Sequence, residues 1–143
     1  MDIEHEKKLV KNFFRRALRK RLFYELTIPK KRSKIFGRLA SDPYEVIDSR
    51  YLYPIPLMGD NDSSYILKKL IEKGALADQM VYIMCNLSPF DGKYIPLKEA
   101  IKTMVYKGEP LIISCIPGQL AYFEGEEGLG PPPRFILERK QPF

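Results

Sequence analysis

Only a few residues in this sequence have side chains suited to catalysis or metal binding. The 143-residue chain contains one histidine, His5, and two cysteines, Cys85 and Cys115. Structural zinc sites use four Cys or His ligands in close pairs, and most catalytic zinc sites use at least two histidines. We therefore expect no metal site and no cofactor. His5 lies near the amino terminus, which we expect to be mobile, whereas a catalytic base must be held within hydrogen-bond reach of its nucleophile.

The residues that could still support an enzyme are Asp91, Ser114, Cys115 and the glutamates of a loop near the carboxyl terminus. Ser114 and Cys115 come near the end of an apolar run, and strand ends often carry catalytic groups. A reactive thiol needs a nearby cation or helix amino terminus to lower its pKa. The sequence places neither beside Cys115, which favours a buried structural thiol. We assign no catalytic residue, and an enzyme is the third of three hypotheses.

Positive charge is concentrated at the start of the chain. Residues 1–40 hold 13 Lys and Arg against 4 Asp and Glu, a net charge of +9, whereas residues 41–143 carry −3. Such asymmetry is typical of proteins with a polyanionic or an acidic protein partner. It also fits a solvated helix face whose lysine stems cover apolar surface.

Nucleic-acid binding by this basic segment is the second hypothesis. Phosphate contacts supply most of the sequence-independent affinity for nucleic acids. No RNP-type aromatic block, zinc finger or clear helix-turn-helix accompanies the cations. The residues that would contact phosphates are Lys8, Lys11, Arg15, Arg16, Arg19, Lys30, Lys31, Arg32 and Lys34.

The first hypothesis is a small non-enzymatic protein-interaction module, such as an immunity-like or antitoxin-like inhibitor or an accessory subunit. It rests on the missing catalytic constellation, on the opposite charges of the two segments and on nine tyrosines, a residue type enriched at interfaces. An acidic loop can also steer the approach of a basic partner. The expected partner-binding residues are Tyr51, Tyr53, Glu124, Glu126 and Glu127.

Helical periodicity dominates the basic segment. Apolar residues recur every three or four positions and predict one long helix over residues 4–27, with an aromatic stripe of Phe13, Phe14, Phe23 and Tyr24. A second helix at about 30–40 begins with four cations, which oppose the helix dipole and would benefit from a nearby acidic group. The other predicted elements are helices at 64–74 and 97–106 and strands at 80–85, 111–116, 120–123 and 135–138.

These elements predict an α+β fold in a single domain, residues 1–143. Its body, residues 41–143, is expected to contain a mixed sheet of four to five strands with packed helices, because strand, helix and strand follow one another from Met80. A long basic amphipathic helix precedes the body. Its aromatic stripe could form a homodimer seam. Two cysteines, a polar start and no apolar run of 18 residues predict a cytoplasmic protein without a membrane partner.

Overall fold

The computed structural model describes residues 1–56, 62–86, 89–107, 109–126 and 133–140. Its helices are α1 (Ile3–Phe13), α2 (Arg19–Leu26), α3 (Pro29–Ser41), α4 (Pro43–Val46), α5 (Asp62–Glu72) and α6 (Leu97–Met104). Its strands are β1 (Leu52–Pro54), β2 (Met80–Cys85), β3 (Tyr94–Pro96), β4 (Leu111–Ile116), β5 (Leu120–Glu124) and β6 (Arg134–Glu138). Short 3₁₀ turns precede α2 and β1. The predicted α+β class is confirmed.

The sheet has six strands in the order β1-β6-β5-β4-β2-β3, and every neighbouring pair is antiparallel. It therefore has one strand more than expected and is not mixed. The difference comes from β3, which turns back after Gly92 (φ 78°) and pairs with β2 so that Tyr94 faces Tyr82. The chain enters α6 from this reversed strand, and β4 then runs antiparallel to β2.

The predicted helix over residues 4–27 was wrong in one respect, because it is two helices. The backbone of Phe14 leaves the helical region and forms an isolated bridge with Ile47. The Arg15 amide donates to the Val46 carbonyl at 2.8 Å, and the Asp48 amide donates to the Phe13 carbonyl at 2.8 Å. A 3₁₀ turn then leads into α2, which packs against α1. These sheet-like bonds outcompete helix continuation.

Helices cover both faces of the sheet. Helices α1 to α4 pack on one face, where Phe13, Phe14 and Phe36 join Phe123 in a buried cluster. Helices α5 and α6 pack on the other face against alternate residues of the same strands. Phe13 and Phe14 thus belong to the protein's own core rather than to an exposed seam. No helix in the described ranges is long and apolar enough to cross a membrane.

The hairpin between β4 and β5 is closed by a tight turn at Pro117 and Gly118. The Gln119 amide donates to the Ile116 carbonyl at 2.9 Å, and Gly118 has a φ of 71°. A Cβ atom on Gly118 would lie 2.5 Å from the side-chain nitrogen of Asn12. Glycine at this position therefore allows α1 to lie close to the turn, which brings the first turns of α1 over β4.

Candidate functional site

Ten cationic side chains, here called the basic face, lie on α1, α2, α3 and the turn between α1 and α2. No described carboxylate lies within 4.0 Å of any of them. Arg15 and Arg19 each donate a hydrogen bond to a backbone carbonyl, which fixes their orientation. Arg19 is half-buried and the others are exposed. The basic face consists of Lys7, Lys8, Lys11, Arg15, Arg16, Arg19, Lys20, Lys30, Lys31 and Lys34.

Positive charges reinforce one another around Arg19. Burial lowers the pKa of its guanidinium, and the charges of Arg139 and Arg16 lower this pKa further, against a smaller opposing effect from Asp48. Arg139 follows the last strand and donates a hydrogen bond to the Asn12 carbonyl at 3.1 Å. The sequence analysis missed Arg139 because only the fold brings it to α1. Arg16 and Arg139 thus place like charges near Arg19, although burial is the largest cause of its lowered pKa.

The break after α1 creates a groove between α1 and α2, here called the basic groove. Its volume is about 260 Å³. Val10 is buried at its floor and Phe23 is half-buried beside it. The groove is lined by Lys7, Val10, Lys11, Arg19, Lys20 and Phe23. Helical spacing could have revealed Lys7, which lies one turn before Lys11 on the same side of α1.

Arg32 does not belong to the basic face, contrary to expectation. Its guanidinium is buried and donates to both oxygens of Glu6, at 2.6 and 2.9 Å, and to both oxygens of Asp91, at 2.8 Å each. Burial lowers the pKa of Arg32, but the hydrogen bonds to Asp91 and Glu6 outweigh it and raise the pKa above its ordinary value. These carboxylates supply the acidic group that the cation-rich start of α3 requires.

His5 is held in place, so the expectation of a mobile end was wrong. It lies in the first turn of α1, buried and stacked on Tyr82 with ring centres 4.6 Å apart. Its Nε2 lies 2.6 Å from Ser114 Oγ and its Nδ1 lies 2.9 Å from the Tyr94 hydroxyl. That hydroxyl donates to Asp2 at 2.6 Å. Burial lowers the pKa of His5, although the charge of Asp2 opposes the effect.

The proton positions along this series of hydrogen bonds follow from Asp2, the carboxylate at one end of it. Ionised Asp2 only accepts, so Tyr94 uses its proton there and its oxygen accepts from His5 Nδ1–H. His5 Nε2 then accepts the proton of Ser114, an arrangement that resembles the activated serine of a hydrolase. However, Ser114 is only 1% exposed. The hydrogen bonds from Asp2 through Tyr94 and His5 to Ser114 therefore fasten the first turn of α1 to the sheet.

Of the residues considered for an enzyme, Asp91, Ser114 and Cys115 do not converge on one site. Asp91 is engaged by Arg32 and lines a cavity of about 240 Å³ together with Phe36. Ser114 is buried on the α1 face of the sheet, and Cys115 is buried on the opposite face. Burial raises the pKa of the Cys115 thiol to about 12. A thiol with such a pKa is not a nucleophile at neutral pH.

The expected protein-binding residues are also separated. Glu124 is fully buried, where it accepts hydrogen bonds from the Tyr122 hydroxyl at 2.8 Å and the Tyr106 amide at 3.0 Å, and is therefore not a surface residue. Tyr51 is half-buried, with the guanidinium of Arg139 4.7 Å from its ring centre. The remaining members, Tyr53 and Glu126, are exposed, and Glu127 lies outside the described residues.

No protein-family model matches this chain, and neither curated proteins nor solved structures provide a match. Within the part of the chain that the structure describes, no group of three or more His, Cys, Asp or Glu side chains could hold a metal ion.

Proposed function

We propose that this protein is a non-enzymatic binding module that holds nucleic acid on its basic face. The observation that carries the proposal is that the ten cations of the basic face have no described carboxylate within 4.0 Å. A cluster of like charges costs folding free energy. A polyanion would remove this cost and would release its condensed counterions on binding.

Nucleic acid fits this surface better than the partner expected for the tyrosine and glutamate set. In that set the Glu124 side chain is buried, and the Tyr51 ring packs against Arg139. The basic face, by contrast, keeps every expected cation except Arg32. An inhibitor or accessory subunit that binds an acidic protein through the basic face is the competing hypothesis.

The expected binding is independent of base sequence. Flexible lysines on α1, α2 and α3 would contact phosphates, and Arg15 and Arg19 would contribute fixed guanidinium groups. Contacts of this kind position a nucleic acid without reading its bases. Dissociation constants of roughly 10⁻⁴ to 10⁻⁶ M at physiological salt are typical of such binding.

Two matched triple variants test the proposal. Lys7, Lys11 and Lys20 are exposed and line the basic groove, and all three would be changed to alanine in the test variant. Lys68, Lys98 and Lys102 are exposed on α5 and α6, across the sheet, and their change to alanine removes the same charge.

Fluorescence anisotropy with a labelled random oligonucleotide would measure affinity over a range of salt concentrations. We expect the test variant to weaken binding equally for all sequences. The slope of log K against log salt should fall by about 0.7 for each lysine removed on a single strand and by about 0.9 on a duplex. The control variant should bind almost as the unmodified protein does. Equal losses in the two variants would show that net charge, and not the basic face, determines binding.

A further inference from the structure

Phosphate binding alone does not explain the floor of the basic groove. Four cations from two helices surround Val10 and the half-buried ring of Phe23. The next residue, Tyr24, is 60% exposed, and Lys31 Nζ lies 5.8 Å from its ring centre. Aromatic rings placed among cations are the arrangement by which proteins hold single-stranded nucleic acids, with bases stacked on rings and phosphates on the surrounding charges.

We propose that the basic groove accepts an unpaired nucleobase, stacked on Phe23, from a single-stranded nucleic acid whose flanking phosphates contact Lys7, Lys11, Arg19 and Lys20. This inference rests on the proposed function and specifies its ligand. The volume of about 260 Å³ is smaller than the roughly 300–1,000 Å³ of pockets for drug-sized ligands. It suits one planar group rather than a whole small molecule.

A single strand fits the groove better than a duplex does. In a duplex both faces of each base are covered by its neighbours, so only phosphates and groove edges meet the protein. The apolar floor would then stay exposed to water. A single strand can present a base face to Phe23 while its backbone follows the cations. One ligand then places phosphates beside the cations of the rim and covers the apolar floor with a base.

The decisive probe has phosphates but no bases. We would compare a labelled oligo-dT of about 12 nucleotides, within the usual site size, with an abasic oligonucleotide of the same length and charge. We expect oligo-dT to bind roughly 5- to 150-fold more tightly than the abasic strand, the range measured for stacking of one base. A duplex of the same length should lack this advantage per phosphate.

Phe23→Leu keeps apolar volume at the floor and removes the ring. It should reduce the preference for oligo-dT over the abasic strand to near unity and leave abasic binding unchanged. Phe90→Leu is the matched control, because Phe90 is an exposed phenylalanine that does not line the basic groove. This control should keep the full preference. The abasic comparison uses the unmodified protein and does not depend on how either variant folds.

The outcomes separate this inference from the proposed function. Equal binding of oligo-dT and abasic strand, or an unchanged preference in Phe23→Leu, would overturn base stacking and leave the basic face as a phosphate-binding surface. Displacement of oligo-dT by a poly-glutamate peptide as effectively as by unlabelled oligo-dT would also overturn it and would indicate an acidic protein partner. Failure of every oligonucleotide to bind at about 50 mM salt would refute the proposed function itself.

Discussion

Replacing Arg32 with methionine should destabilise the protein strongly. The Arg32 and Glu6 side chains are only 7% and 4% exposed, and four hydrogen bonds join the guanidinium to Glu6 and Asp91. Methionine keeps an apolar stem beside Phe36, whose ring centre lies 5.7 Å from the guanidinium carbon. It leaves the buried Glu6 carboxylate without a compensating charge, and that loss dominates the effect.

The size of the loss follows from the remaining partners. Breaking a buried ion pair costs about 3–5 kcal/mol. Glu6 still accepts a hydrogen bond from Tyr82 at 2.6 Å, and Asp91 is partly solvated, so the lower end applies. A loss of about 3 kcal/mol lowers Tm by roughly 6–12 °C in a chain of this size. Adding Glu6→Gln should recover part of the loss, because a buried amide costs less than a buried unpaired charge.

Thermal and urea unfolding followed by circular dichroism would measure this difference. Arg38→Met is the matched control, because the Arg38–Glu45 pair is 32% and 59% exposed and such pairs contribute about 0–1 kcal/mol. A Tm for Arg32→Met that equals the Tm of Arg38→Met would refute the role assigned to the buried ion pairs. If the double variant Arg32→Met with Glu6→Gln were less stable than Arg32→Met alone, the unpaired charge on Glu6 would not be the cause of the destabilisation.

Two further predictions concern His5 and the pair of glycines Gly37 and Gly118. Because folding lowers the pKa of His5 below its ordinary 6.5, mainly by burial, the unfolded chain binds a proton that the folded protein does not. The stability that neutral His5 contributes is thus complete above pH 6.5 and is lost as the pH falls below 6.5. The Tm of His5→Asn should therefore fall less between neutral and acidic pH than the Tm of the unmodified protein. Curves of Tm against pH that run parallel for the two proteins would contradict this. Gly118→Ala should cost at least about 1–2 kcal/mol, because a non-glycine residue at positive φ is strained and its Cβ would meet Asn12. Gly37 lies inside α3 with open space around it, so Gly37→Ala should instead raise the free energy of unfolding by about 0.5–1 kcal/mol. Urea unfolding would measure both changes. A change of the same sign in the two variants would be inconsistent with this geometry.

Local patterns were sufficient for elements whose boundaries depend on neighbouring residues. The apolar runs at 80–85 and 111–116 predicted β2 and β4 with the bounds that the structure has. The break in the first helix could not be predicted, because Phe14 exchanges helical bonding for a bridge to Ile47, more than thirty residues away. The antiparallel sheet depends on β3, a three-residue strand that ends in proline. A pattern so short carries almost no period-2 signal.

The candidate site was only partly visible in the sequence. The cations of α1 and α3 are neighbours along the chain, and counting charges found them. Arg139 and the link from His5 to Ser114 depend on contacts across more than a hundred residues, which one sequence does not encode locally. The burial of Glu124 could have been predicted, since strand alternation places it on the same buried side as Leu120 and Tyr122.

The salt dependence of oligonucleotide binding by the unmodified protein tests the central proposal most directly. With about four to six phosphates neutralised by the basic face, the slope of log K against log salt for a single strand should be roughly −3 to −4. Binding should be measurable at about 50 mM salt and should weaken steeply towards 200 mM. Undetectable binding at the lower salt concentration, or binding whose affinity does not change between the two, would contradict the assignment of the basic face to nucleic acid.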